Sequence, residues 1–146
     1  MPFQAEEGKI IWKVHFSSPI EKVFRALSTD QGRATFWAEQ TVEKDGIIEF
    51  TILNYPKYPS KIIERQAPYH FRLEYFGTDV TFHLATIGDG GTDLTLVALV
   101  DNDEVKTEMT AGWVSVLMAM KAAVDFGVDL RNHHPKRVWE LGYVDN

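Results

Sequence analysis

The sequence predicts an α+β protein, an antiparallel sheet of about six or seven strands with helices on one face. Nearly everything from residue 38 to 101 reads as short strands separated by tight-turn signals. One long amphipathic segment, Thr107–Leu130, follows those strands. Two short helices fall between the first strand and the rest.

The first strand is KIIWKVHF, residues 9–16, rich in β-branched and aromatic side chains. SSPIEKVFRALSTD comes next. Ser18 as N-cap, Pro19 at the first helical position and Glu21 three residues after the cap form a capping-box pattern. Ile20, Val23, Phe24 and Leu27 recur at helical spacing, so a helix is expected over about 19–28. Thr29 or Asp30 then caps a second short helix ending near Phe36 and Trp37, weakened by Gly32.

TVEKDGIIEFTIL reads as a hairpin with Asp45-Gly46 at its turn. The prolines of NYPKYP make a loop. Four more strands follow in SKIIERQ, HFRLEYF, DVTFHLATIG and TDLTLVALV. Their connections are short, so neighbours are expected to run antiparallel. In Thr107–Leu130 the residues Met109, Trp113, Val116, Leu117, Met120, Val124 and Val128 define one apolar face, on a rod of about 35 Å. The last segment, 131–146, carries Trp139, Leu141 and Tyr143, with a helix start near Pro135 and a stop at Gly142. It is expected to pack back on a single domain spanning 1–146.

Composition narrows the function. The chain of 146 residues has a net charge of −6, which argues against nucleic-acid binding and against anionic membrane surfaces. It has no cysteine, which removes disulfides, thiol catalysis and cysteine-based zinc sites. No signal-peptide pattern opens the sequence. Lys121, Asp125 and Asp129 interrupt the long helix as a membrane span. A cytoplasmic protein is expected.

Several short motifs together carry a resemblance. SSPIEKVFRAL follows the first strand, Trp37 ends the short helices, DGGTDLTLVAL forms a strand, and TAGWVSVLMAMK sits in the last helix. Over residues 9–131 the chain resembles the START-like, or helix-grip (SRPBCC), superfamily. Within that superfamily it resembles the branch of homologues of the activator of the heat-shock-protein-90 ATPase. DLRNHHP resembles the closing segment of part of that branch. The resemblance implies a curved sheet gripping the C-terminal helix, with a cavity between them that in many members holds an apolar small molecule. It also implies two other uses of the fold, a surface-acting co-chaperone linked to the stress response and a cyclase-type enzyme. Fold alone does not choose among them.

Strand parity supplies the expected cavity wall: Phe50 and Ile52, then Phe71, Leu73 and Tyr75, then Phe82, Leu84 and Leu96. Trp113, Val116, Leu117 and Met120 face them from the helix, and Trp37, Tyr55, Tyr58 and Met109 stand at the expected mouth. Two fillings of this space are open, a ligand or the protein's own aromatic and methionine side chains. Tyr75 is the member suited to orienting a ligand.

No catalytic constellation accompanies these residues. His15, His70 and His83 are scattered over strands. His133 and His134 are adjacent and point apart, and no metal-ligand spacing is present. Asp89-Gly90-Gly91 reads as a hairpin turn rather than a phosphate loop. Glu64, Arg65, Arg72 and Glu74 suit outward ion pairs. Arg131, Lys136 and Arg137 suit the negative end of the long helix or an anionic partner. The reading ranked first is a small-hydrophobic-ligand module without metal or cofactor. A protein-interaction module that binds a chaperone ranks second, and a cyclase- or hydrolase-type enzyme third. Trp139 and the outward Val97 and Leu99 leave a dimer open.

Overall fold

The structure, a computed structural model, describes residues 4–146. The chain runs β1 (Lys9–Phe16), α1 (Ile20–Ser28), α2 (Asp30–Arg33), β2 (Gln40–Lys44), β3 (Ile47–Thr51), β4 (Tyr58–Gln66), β5 (His70–Tyr75), β6 (Thr78–Thr86), β7 (Thr92–Leu99) and α3 (Asp103–Phe126). A short 3-10 turn, Trp139–Leu141, follows in the tail. The seven strands form one curved antiparallel sheet in the order β1-β7-β6-β5-β4-β3-β2. Strands β2 to β7 are a meander. β1 pairs with β7 along its whole length, from Lys9 opposite Leu99 to Phe16 opposite Thr92.

Turn chemistry fixes the register of the meander. Asp45 and Gly46 both adopt positive φ (53° and 77°), the twist that closes a two-residue hairpin. Phe76 and Gly77 do the same between β5 and β6, at 48° and 78°. A bulky residue rarely sits there. Phe76 is held by stacking on Tyr58 at a centroid distance of 4.0 Å. Parity places the core as expected: Phe50, Phe71, Leu73, Phe82, Leu94 and Leu96 are buried on one face, and Thr81, His83, Val97 and Leu99 lie on the other.

The helices depart from the sequence reading in three instructive ways. Ser18 does not cap α1. Its hydroxyl donates instead to Asp125 Oδ1 at 2.7 Å, and the Ser17 and Ser18 N–H groups donate to the same carboxylate. A partner at the far end of the chain outcompetes the local capping box. The second helix has four residues and gives way to a turn before Trp37; Thr29 caps it by accepting from Gly32 N. Gly32 is required rather than merely tolerated, because a Cβ there would lie 2.5 Å from the Arg25 carbonyl oxygen. Finally, α3 begins at Asp103, four residues before the expected start, where Asn102 accepts from Glu104 N and Val105 N. It ends at Gly127, whose φ of 66° gives a left-handed cap.

By length and composition alone α3 would qualify to cross a membrane, despite its charges. Its buried residues, Trp113, Leu117, Met120 and Val124 among them, form part of the same core as the inward face of the sheet.

One buried cation organises the corner between α2 and β2. Arg33 is fully buried and donates to the Leu27 carbonyl, to Thr41 Oγ1 and to Asp30 Oδ1. Burial lowers its pKa, and the Asp30 carboxylate opposes that shift. Nothing in the local sequence marks Arg33 as interior.

Candidate functional site

The space under α3 is occupied by aromatic side chains. Trp37, delivered by the turn after α2, packs against Phe50 of β3 (5.0 Å between centroids), Tyr75 of β5 (5.3 Å), Phe82 of β6 (5.6 Å) and Trp113 of α3 (6.0 Å). Most of these contacts are tilted or edge-to-face, the arrangement aromatic pairs prefer. Phe71 and Leu73 lie buried on the sheet beside them, and Leu117 and Met120 are buried on α3. Leu84 and Leu96 belong to the same core, while Ile52, Met109 and Val116 border it half-buried. The structure therefore brings together all but one of the expected wall and mouth residues. Tyr55 is the exception: it is exposed in the loop after β3, and no ring contact joins it to the other described residues.

Tyr58 is held at the rim. Its hydroxyl hydrogen-bonds the Glu74 carboxylate, which also accepts from Gly77 N at 2.7 Å. Phe76, Tyr58 and Tyr75 thus form an aromatic path from the surface to the buried cluster, with successive centroids 4.0 and 6.4 Å apart.

The polar inventory of this interior is unbalanced. Trp37 is 6% exposed, Trp113 3% and Ser60 0%. Among the described residues the Trp113 indole Nε1 and the Ser60 Oγ meet no hydrogen-bond partner, and the Trp37 Nε1 has only the Tyr75 hydroxyl beside it, poorly aligned. A buried donor left unmade costs about 1–3 kcal/mol, so such atoms are uncommon in interiors. Ser60 lies opposite Ile48 on the inward face of β4. Burial pushes the Tyr75 hydroxyl well above the ordinary phenol range, and the adjoining Trp37 indole offsets this only in part. Tyr75 is accordingly a protonated donor at neutral pH and not a base. Sequence reading found the aromatic residues but not the unpaired donors, since pairing depends on what the fold brings near each atom.

The tail closes over the mouth. Arg131 reaches back and donates to the carbonyls of Ala38 and Ala34, either side of Trp37, while Asp129 holds its guanidinium. It does not sit on the last carbonyls of α3, which accept from Gly127 N and Val128 N. His133 bridges two carboxylates, Nδ1 to Glu39 at 2.8 Å and Nε2 to Asp129 at 2.7 Å. Those two contacts raise its pKa, the Asp129 contact most. Asn54, in the loop after β3, donates to the Pro135 carbonyl. Residues 131–135 thus strap the turn carrying Trp37 to the loop carrying Tyr55.

The outward charges pair as the alternation suggested, with different partners. Arg72 forms a two-pronged contact with Asp79, and Arg65 reaches Glu43. A groove of about 500 Å³ lies on the other side of α3, between Trp12 and residues 103–114.

Seven strands gripping one long C-terminal helix are the helix-grip, or START-like, fold. No family model and no curated protein matches the chain. Solved structures do. Protein SSP2350 from Staphylococcus saprophyticus superposes with a TM-score of 0.74 at 22% identity, covering 84% of this chain and 96% of that one. The Aha1 dimer from Colwellia psychrerythraea gives 0.72 at 18% identity, over 82% and 97%. DynU16, a protein from the dynemicin biosynthetic locus, gives 0.73 at 13% identity, over 85% of this chain and 49% of its own longer one. At these identities the likeness establishes the fold.

Proposed function

We propose that the protein is a small-molecule binding module. It takes an apolar ligand carrying one or two hydrogen-bond acceptors, such as an aromatic ketone, into the space between the concave sheet and α3. The observation that carries this reading is the buried indole N–H of Trp113, which meets no hydrogen-bond partner among the described residues. The Trp37 indole, 6.0 Å from it between ring centroids, has only the Tyr75 hydroxyl beside it. An acceptor placed there would satisfy donors that otherwise cost stability, and the surrounding Phe50, Phe82 and Leu117 would hold the apolar body. In the free protein the aromatic rings fill the space themselves. Entry then requires Trp37 to swing away on its turn, which the Arg131 strap restrains. Tyr75, kept protonated, adds a third donor. Its role is to orient the ligand and not to take a proton.

The test is a titration with 2-acetylnaphthalene and 8-anilinonaphthalene-1-sulfonate, read by tryptophan fluorescence and by thermal shift. Saturable binding that Trp113→Phe weakens supports the reading. No saturation by either probe up to millimolar concentration overturns it.

A second reading, protein association, draws on a different observation. Val114 and Met118 are exposed on α3, and the tail lying beside them exposes Leu141 and Val144. The Colwellia psychrerythraea neighbour is a dimer. Light scattering of wild type against Met118→Glu distinguishes a self-associating protein from a monomer.

A further inference from the structure

On the convex face of the sheet, remote from α3, two histidines meet. His70 of β5 is directly opposite His83 of β6. Their Nδ1 atoms are 3.4 Å apart, with ring centroids at 4.9 Å and planes inclined by 63°. Two nitrogens bound to one tetrahedral metal at about 2.0–2.1 Å stand roughly 3.3–3.4 Å apart. The observed spacing is the one such a metal needs.

The surroundings favour a cation. Glu64 Oε2 lies 3.2 Å from the buried His70 Nε2, which has no better-aligned partner among the described residues. A carboxylate facing one ring nitrogen draws the proton onto that nitrogen, here Nε2, and leaves the Nδ1 lone pair for a metal. Arg72 also faces this cleft, but its guanidinium is engaged by Asp79 at 2.9 and 2.5 Å. Counting Glu64 and Asp79 against Arg72, the fixed charges sum to a net negative. The cleft has a volume of about 260 Å³ and is completed by Thr81, Val97 and Leu99, leaving room for water ligands. Among the described residues no group of three or more ligating side chains is present. The remaining coordination positions therefore fall to water or to a ligand from outside.

We propose that His70 and His83 form a two-histidine site for a divalent transition metal on the convex face of the sheet. Imidazole pairs suit Cu²⁺ and Zn²⁺, and Cu²⁺ binds the more tightly of the two.

The experiment uses the full chain. Cu²⁺ is titrated under electron paramagnetic resonance, and Zn²⁺ is titrated in competition with a chromophoric chelator. One equivalent should bind, with nitrogen hyperfine structure from two imidazoles. His70→Gln and His83→Gln should each weaken binding at least about a hundredfold, and Glu64→Gln by about tenfold or more. His15→Gln should leave affinity unchanged. Unaltered affinity in His83→Gln overturns the proposal, as does absence of stoichiometric binding. If either variant misfolds by circular dichroism, Cu²⁺ broadening of wild-type imidazole NMR signals decides. Broadening centred on His70 and His83 supports the site, and broadening centred on His133 or His134 overturns it.

Discussion

Replacing Asp125 by Asn should convert a pH-independent loss of contacts into a pH-dependent loss of stability that can be followed in detail. The Asp125 carboxylate is 1% exposed and joins the end of α3 to the β1–α1 junction. It accepts from Ser17 N, Ser18 N and Ser18 Oγ, and pairs with Lys121 at 3.2 Å. Burial alone would raise its pKa. The Ser17 and Ser18 donors and Lys121 more than offset that and hold it at about 2 against an ordinary 3.8. At 1.36 kcal/mol per pH unit, this depression corresponds to roughly 2 kcal/mol of native stability. For a depressed carboxylate the contribution is complete above the unfolded value and disappears as pH falls through the folded one. Asp125→Asn should therefore cost about 2 kcal/mol at pH 6, and the gap from wild type should close toward pH 2. Urea unfolding of both proteins from pH 6 to pH 2, with equal m-values, measures it. A gap that stays constant across that range would refute the assignment of the stabilisation to the ionised carboxylate.

Three further outcomes are expected. Trp113→Phe removes an unpaired buried donor, worth about 1–3 kcal/mol, along with part of a ring, so stability should change by less than about 1 kcal/mol. Trp113→Ala should cost about 3–5 kcal/mol; equal losses in the two variants would mean that the indole N–H is satisfied. His133, with its raised pKa, steadies the tail fully below about pH 6.5 and loses that effect as pH rises through its folded value. In His133→Asn, proteolytic release of residues 131–146 should lose its dependence on pH between 6 and 9, and a wild-type-like pH profile would contradict the bridge to Glu39 and Asp129. Arg33→Leu leaves Asp30 and Thr41 without their donor and should lower the urea midpoint by the equivalent of about 3 kcal/mol. A loss under about 1 kcal/mol would show that the buried guanidinium contributes little.

What could be read from the sequence was what local geometry dictates. Alternation along the strands placed Phe50, Leu73, Phe82 and Leu96 on one face, because side-chain direction in a strand depends only on parity. Asp45-Gly46 announced its hairpin because few residues accept two consecutive positive φ angles. The misplacements share one cause. Ser18 fits a capping box perfectly well, yet its hydroxyl is taken by Asp125, which no window of sequence includes. Arg33 is interior because the Leu27 carbonyl and Thr41 converge on it. Tyr58, expected at the open mouth, is fastened by Glu74 from a neighbouring strand. The start of α3 was within reach: Asn102 before an acidic turn is a standard N-cap signal, and the weak apolar pattern of residues 103–106 concealed it.

The pairing of β1 with β7 has a kinetic side. The meander from β2 to β7 closes through short hairpins, each of which can form as soon as its two strands exist. Lys9, in contrast, has to find Leu99, and Phe16 has to find Thr92. That search closes a long loop, which slows a folding transition far more than it weakens the final state. β1, which precedes its partner by most of the domain, is thus expected to seat last among the seven strands, leaving the flank of β7 unpaired until then. Mutations in β1 should accordingly speed unfolding more than they slow folding. The same delay leaves the underside of the sheet uncovered until α3, synthesised later still, arrives with Trp113.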